Sequence, residues 1–112
     1  GLIHGYHGDE TQRQGAEGQQ RIADIMTGLR AQQPAQIGGQ AVAEIKDYQH
    51  GIDNLPAANV LKYFFADGGW MAVRPSGTEP KIKFYYSLRG DSMAAAEERV
   101  EALRAAVKEI MA

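Results

Sequence analysis

Trp70-Met71-Ala72-Val73-Arg74-Pro75-Ser76-Gly77-Thr78-Glu79-Pro80-Lys81-Ile82-Lys83-Phe84-Tyr85-Tyr86 is the stretch that decides how this chain folds. Two runs rich in aromatic and branched residues flank seven residues of turn chemistry, so it reads as strand, loop, strand. Side chains alternate across a strand. Ile82, Phe84, Tyr86 and Leu88 therefore share one face and should meet the helices, while Lys81, Lys83 and Tyr85 face the other way.

The loop offers what a phosphate needs. Arg74 supplies a planar fork of donors. Ser76 and Thr78 supply hydroxyls on short side chains. Gly77 lets successive backbone N–H groups turn into one concavity. The same residues are also ordinary turn formers, and it is the lysines of the adjoining strand that favour phosphate. Glu79 has no nucleophile or histidine partner in the loop, so it reads as a turn residue or an ion-pair partner of a nearby lysine rather than a general base.

Downstream, Asp91 or Ser92 caps a helix that runs to about Met111. Its apolar stripe is Ala96, Val100, Leu103, Val107 and Ile110, with Glu97, Glu98, Glu101, Arg104 and Lys108 on the wet face. Upstream, residues 66–69 form a tight turn, since Asp67-Gly68 suits the positive φ angles of a type I′ hairpin. Residues 60–65 and 40–47 read as strands, with a loop over 48–59 that carries Gly51, Asp53, Asn54 and Pro56. Residues 16–31 read as a helix, because Ile22, Ile25, Met26 and Leu29 fall on one stripe and Pro34 stops the chain just beyond.

Residues 1–15 are rich in Gly, His and Gln without clear periodicity. They read as a linker or a remnant of a preceding domain, and as the place for a hinge. His4 and His7 have only Asp9 and Glu10 as further ligand candidates, so a mobile terminus is preferred to a metal site. His50 lies in a polar loop and reads as exposed rather than catalytic. The order helix, strand, loop, hairpin, strand, helix gives an α+β fold in two layers: a roughly four-stranded antiparallel sheet with two helices on one face.

At 112 residues the chain is one domain with one modest core. A formal net charge of −2 favours neither nucleic acid nor an anionic membrane surface. The absence of cysteine excludes a disulfide scaffold and a thiolate metal site, and fits a cytoplasmic protein. No apolar run approaches the ~20 residues of a membrane span, and no signal peptide is visible. The start at Gly1, inside a polar stretch, reads as an excised piece of a longer protein.

The run Trp70 to Tyr85 resembles the phosphate-binding signature of the α-D-phosphohexomutases, which lies in their fourth, C-terminal domain. Asp47-Tyr48 and Asn59-Val60-Leu61-Lys62-Tyr63-Phe64 are most similar to bacterial members of the phosphoglucomutase/phosphomannomutase type. The resemblance implies a fold like that of the TATA-binding protein, without its DNA binding. It implies that residues 16–112 are the phosphate-binding domain of an intramolecular phosphotransferase. In such an enzyme a phosphoserine gives its phosphoryl group to a hexose phosphate, the bisphosphate reorients, and the other phosphate returns to the serine. The fourth domain holds the phosphate that is not reacting. By position, Arg74, Ser76, Gly77 and Thr78 make that contact, with Lys83 as helper and Lys81 as a secondary candidate.

The family's Ser-His-Asn phosphoserine loop, its Asp-Gly-Asp loop for Mg²⁺ and its sugar-recognition loop are not found in these residues. The resemblance therefore implies no catalytic residue, metal ligand or cofactor in this chain, and no turnover by it alone, with Mg²⁺ expected in the full-length enzyme. The implied partners are a hexose phosphate and the enzyme's other domains, not nucleic acid or membrane. Two other readings compete: a stand-alone module for phosphorylated partners through the Arg74 loop, and a structural role in which the last helix or a sheet edge pairs with another chain.

Overall fold

The computed structural model describes residues 3–12, 15–52, 54, 56–76 and 81–111. Six strands and two helices lie along them. Strand β1 (Ile3–Gln12) leads into helix α1 (Gly15–Gln32), the short β2 (Gln36–Ile37) and β3 (Gln40–Asp47). Then come β4 (Leu61–Phe65), β5 (Trp70–Pro75), β6 (Lys81–Gly90) and the final helix α2 (Met93–Met111). The sheet order is β1-β6-β5-β4-β3-β2, and every neighbouring pair is antiparallel.

One face of this sheet is dry. Ile82, Phe84, Tyr86 and Leu88 of β6 are fully buried, as are Met71 and Val73 of β5, and Leu61, Tyr63 and Phe65 of β4 join them. The strict alternation expected of β6 holds along its whole length. Against this face α1 lays Ile22, Ile25, Met26 and Leu29, and α2 lays Val100, Leu103 and Val107, so one core joins both helices to the sheet. Each large side chain buried there contributes about 1.5–3 kcal/mol relative to exposure. Among the described residues the other face carries no helix.

Helix α2 starts where the hydroxyl chemistry predicts. The Ala95 amide donates to Ser92 Oγ at 3.1 Å, so Ser92 is the cap rather than Asp91. The chain reaches α2 a second time through the β2–β3 turn. Gly38 has φ of 57°, and a Cβ there would lie 2.8 Å from both the Ala102 carbonyl oxygen and Leu103 Cα. Only a residue without a side chain lets this turn lie against the α2 backbone.

The two-layer α+β fold with an antiparallel sheet is as the sequence reads, and three details differ from that reading. Residues 1–15 contain a strand: Ile3–Gln12 pairs with β6 residue for residue, from Ile3 opposite Gly90 to Gln12 opposite Lys81. A segment held by a ten-residue ladder is no free hinge. The sheet has six strands, because β1 and the two-residue β2 extend the four that patterning predicts. The β4–β5 turn is not type I′, since only Gly68 takes a positive φ, 97°, and Asp67 does not. The Gly68 amide donates to the Phe65 carbonyl at 3.0 Å and the Phe65 amide to the Gly69 carbonyl at 2.8 Å. This is a three-residue hairpin loop with a left-handed glycine closing it.

Candidate functional site: a cation pair at the β5–β6 hairpin

Strands β5 and β6 bring the sequence-nominated residues together at one end of the sheet. The register sets Arg74 directly opposite Lys83, with Pro75 opposite Ile82. The Ser76 amide then donates to the Lys81 carbonyl at 2.9 Å and closes the mouth of the loop. Arg74, Lys81 and Lys83 all stand on the helix-free side, because their neighbours Val73, Ile82 and Phe84 point into the core. Arg74 is exposed, and Ser76, Lys81 and Lys83 are half-buried. Gly77, Thr78, Glu79 and Pro80 lie outside the described residues.

Two like charges directly opposite on a sheet repel and lower stability. Arg74 and Lys83 make such a pair, and one strand pair further across Lys46 stands opposite Lys62. Placed together at a loop mouth, a guanidinium and an ammonium offer an anion both a fork of donors and a point charge.

The open face holds residues that patterning alone did not nominate. Lys62 and Phe64 of β4 and Trp70 of β5 occupy it, with the Lys62 Nζ 5.1 Å from the Phe64 ring centre and 4.6 Å from that of Trp70. Lys46 Nζ lies 5.6 Å from the Phe64 ring on its other neighbour strand. Alternation within Leu61–Phe65 carries the signal for Lys62 and Phe64, but their placement opposite Ala72 and Trp70 follows only from the strand register.

On the helix side a different cluster braces the fold. Arg30 of α1 donates through Nε to Asp47 Oδ2 at 3.0 Å and through Nη2 to Asn59 Oδ1 at 2.6 Å. The Gln49 amide donates to Asp47 Oδ1 at 3.0 Å. Burial works to raise the Asp47 pKa, but the Arg30 and Gln49 hydrogen bonds and the charges of Arg30 and His50 hold it below the ordinary carboxylate value. Tyr63 is buried nearby, its hydroxyl unpaired among the described residues. Burial pushes that hydroxyl up to about 12, with Arg30 opposing and Asp47 adding to the shift.

A cleft of about 490 Å³ also opens on the helix side, among α1, α2 and the β2–β3 turn. Among the described residues Arg21 is the one cation that lines it, set against Asp24 and Glu109, so its charge does not favour a phosphate. Among the described residues no group of three or more His, Asp or Glu side chains could hold a metal ion. These residues do not fit Mg²⁺. No described helix is long and apolar enough to cross a membrane. His50 is exposed in its loop.

Comparison with known proteins places these features in context. Residues 26–107 match the family described as phosphoglucomutase/phosphomannomutase, C-terminal domain. The chain is similar to the phosphoglucomutase of Staphylococcus epidermidis, 42% identical over 89 residues, covering 70% of this chain and 16% of that protein. It is similar to that of Staphylococcus aureus, 38% identical over 100 residues, covering 80% of this chain and 18% of that protein. Its fold is similar to part of the open-form crystal structure of pp63/parafusin, an exocytosis-sensitive phosphoprotein and phosphoglucomutase from Paramecium. That match has a TM-score of 0.56 at 20% identity and covers 97% of this chain and 20% of the other. The chain thus spans less than a fifth of the length of the Staphylococcus relatives.

Proposed function

The chain belongs to the phosphoglucomutase/phosphomannomutase family as its C-terminal domain, and from that premise we propose that Arg74, Ser76, Gly77, Thr78 and Lys83 hold the non-reacting phosphate of a hexose phosphate. The parent enzyme then moves phosphate between the 1- and 6-positions of the sugar, as in the conversion of glucose 1-phosphate to glucose 6-phosphate. The observation that carries this reading is the register that sets Arg74 opposite Lys83 at the mouth of the loop.

Each residue has a distinct part. Arg74 presents two parallel N–H donors to two phosphate oxygens. Lys83 adds a point charge from the facing strand. Ser76, Gly77 and Thr78 complete the cradle with hydroxyl and backbone donors. None of them takes part in bond making. Holding the remote phosphate supplies binding energy that orients the reacting end of the substrate. The grip must also be released so that the bisphosphate can turn over, and one set of phosphate contacts at about millimolar affinity suits that need.

The test is Arg74→Ala in the full-length parent enzyme. Loss of a charge-assisted bidentate contact should lower kcat/KM about 10- to 100-fold, with the fold preserved because Arg74 is exposed and the melting temperature not lowered, since a like-charge neighbour of Lys83 is removed. Unchanged kcat/KM overturns the assignment.

A further inference from the structure

The cleft on the helix side takes no part in the phosphate reading. Its volume of about 490 Å³ falls in the range of ~300–1,000 Å³ that binding sites occupy. Helix α1 lines it with Ile25 and Leu29, α2 with Ala106 and Ile110, and β2 adds Ile37. Ala106 and Ile110 are only half-buried, so apolar surface remains on show there. A valley of apolar side chains between two packed helices is the seat that a third helix takes.

Gly28 marks where that helix comes closest. It lies inside α1 and lines the cleft. Glycine weakens a helix interior relative to alanine, yet a Cβ at this position meets nothing within 4 Å among the described residues. Packing within the domain therefore gives no reason for a glycine here, unlike Gly38 on the same cleft, whose Cβ would strike the α2 backbone. An incoming helix does give a reason, because the side chains at a crossing set how near two helices can lie.

The rim sets the sign of the partner. Asp24 of α1 and Glu109 of α2 are exposed, and Arg21 is the one described cation that lines the cleft, so the lining is net acidic. Asp24 accepts a hydrogen bond from Gln20 Nε2 at 2.9 Å, a neutral donor that leaves its charge in place. We infer that the cleft is a docking groove for a basic amphipathic helix of a partner protein. The partner's leucine-sized side chains fill the valley, its backbone crosses α1 at Gly28, and its lysines or arginines pair with Asp24 and Glu109. This groove lies on the other side of the sheet from Arg74 and needs nothing from the phosphate reading.

The experiment titrates the isotope-labelled chain, by NMR, with a helical peptide of about 14 residues, leucines on one face and lysines on the other, and with its glutamate counterpart. The lysine peptide should shift the amides of Gly28, Ile37 and Ala106 and bind about tenfold more tightly than the glutamate peptide. Gly28→Leu, which plugs the valley at a position with room for a side chain, should weaken binding by about tenfold or more. Asp24→Asn combined with Glu109→Gln should remove the preference for lysine; both residues are exposed, so this variant carries the test where Gly28→Leu perturbs the fold. Equal binding of the two peptides by the wild type, binding that survives both variants unchanged, or no shift of the cleft amides at about millimolar peptide overturns the groove. Concentration-dependent shifts of the same amides without peptide overturn it too, and assign the cleft to a second copy of this chain.

Discussion

Asp47 shows how one side chain sets the acid tolerance of the domain. Its carboxylate ties α1 to the end of β3 through Arg30 and orders the following turn through the Gln49 amide. Its pKa in the folded chain is lowered from 3.8. A depressed carboxylate contributes stability that is fully present above its unfolded pKa and is lost as pH falls through the folded value. The acid limb of stability should therefore begin near the ordinary carboxylate value of 3.8 and extend below it. Asp47→Asn should cost about 1 kcal/mol or less at neutral pH, since the pair is partly exposed, and should flatten that limb. Urea midpoints at neutral pH and at about pH 3 check this; parallel curves for both proteins would deny Asp47 the role. In the sequence Asp47 drew notice only through resemblance, because nothing local says that Arg30 lies opposite it.

Among the elements, the two helices answer differently to the same substitution. Gly28 sits in the middle of α1, and a Cβ there meets nothing within 4 Å. Gly28→Ala should stabilise by about 1 kcal/mol, the difference in helix propensity. Gly38→Ala should destabilise by about 1–3 kcal/mol, because its Cβ meets α2 backbone that cannot yield and its φ is left-handed. Thermal unfolding of the two variants should show shifts of opposite sign; two shifts of the same sign would contradict the placement of the β2–β3 turn. Sequence periodicity located both helices and four strands, since each carries a stripe or an alternation of its own. It missed β1, whose Gly, His and Gln residues lack that signal and which is a strand because β6 offers it an edge. It missed β2, which is only two residues long. It misassigned the turn at Asp67-Gly68, where the outcome depends on which backbone groups close the hairpin.

At the scale of the molecule, the shortest dimension is 22 Å, room for a sheet and one layer of helices. Strand β1 forms the outer edge beside β6, whose alternate residues are buried along its whole length. Deleting residues 3–12 should bare a ten-residue ladder on β6, lower stability and promote self-association through the exposed edge. Size-exclusion chromatography across a concentration series reads this; a monomer of unchanged stability at every concentration would show that β1 is dispensable. The candidate site was half legible in the sequence. Arg74, Ser76 and Lys83 could be nominated from strand–loop–strand patterning, whereas the setting of Lys83 opposite Arg74 and of Lys62 one strand over follows only from cross-strand register, a property that no single segment encodes. The facing of Arg74 and Lys83 has one more consequence. In a loose chain they are separate cations, and only the native ladder forces them side by side. An anion lying across both therefore binds the folded state alone and stabilises it in proportion to the logarithm of its concentration. On the phosphate reading proposed above, the domain's lifetime against proteases would follow phosphate-ester supply, lengthening when ligand is plentiful and shortening when it is scarce.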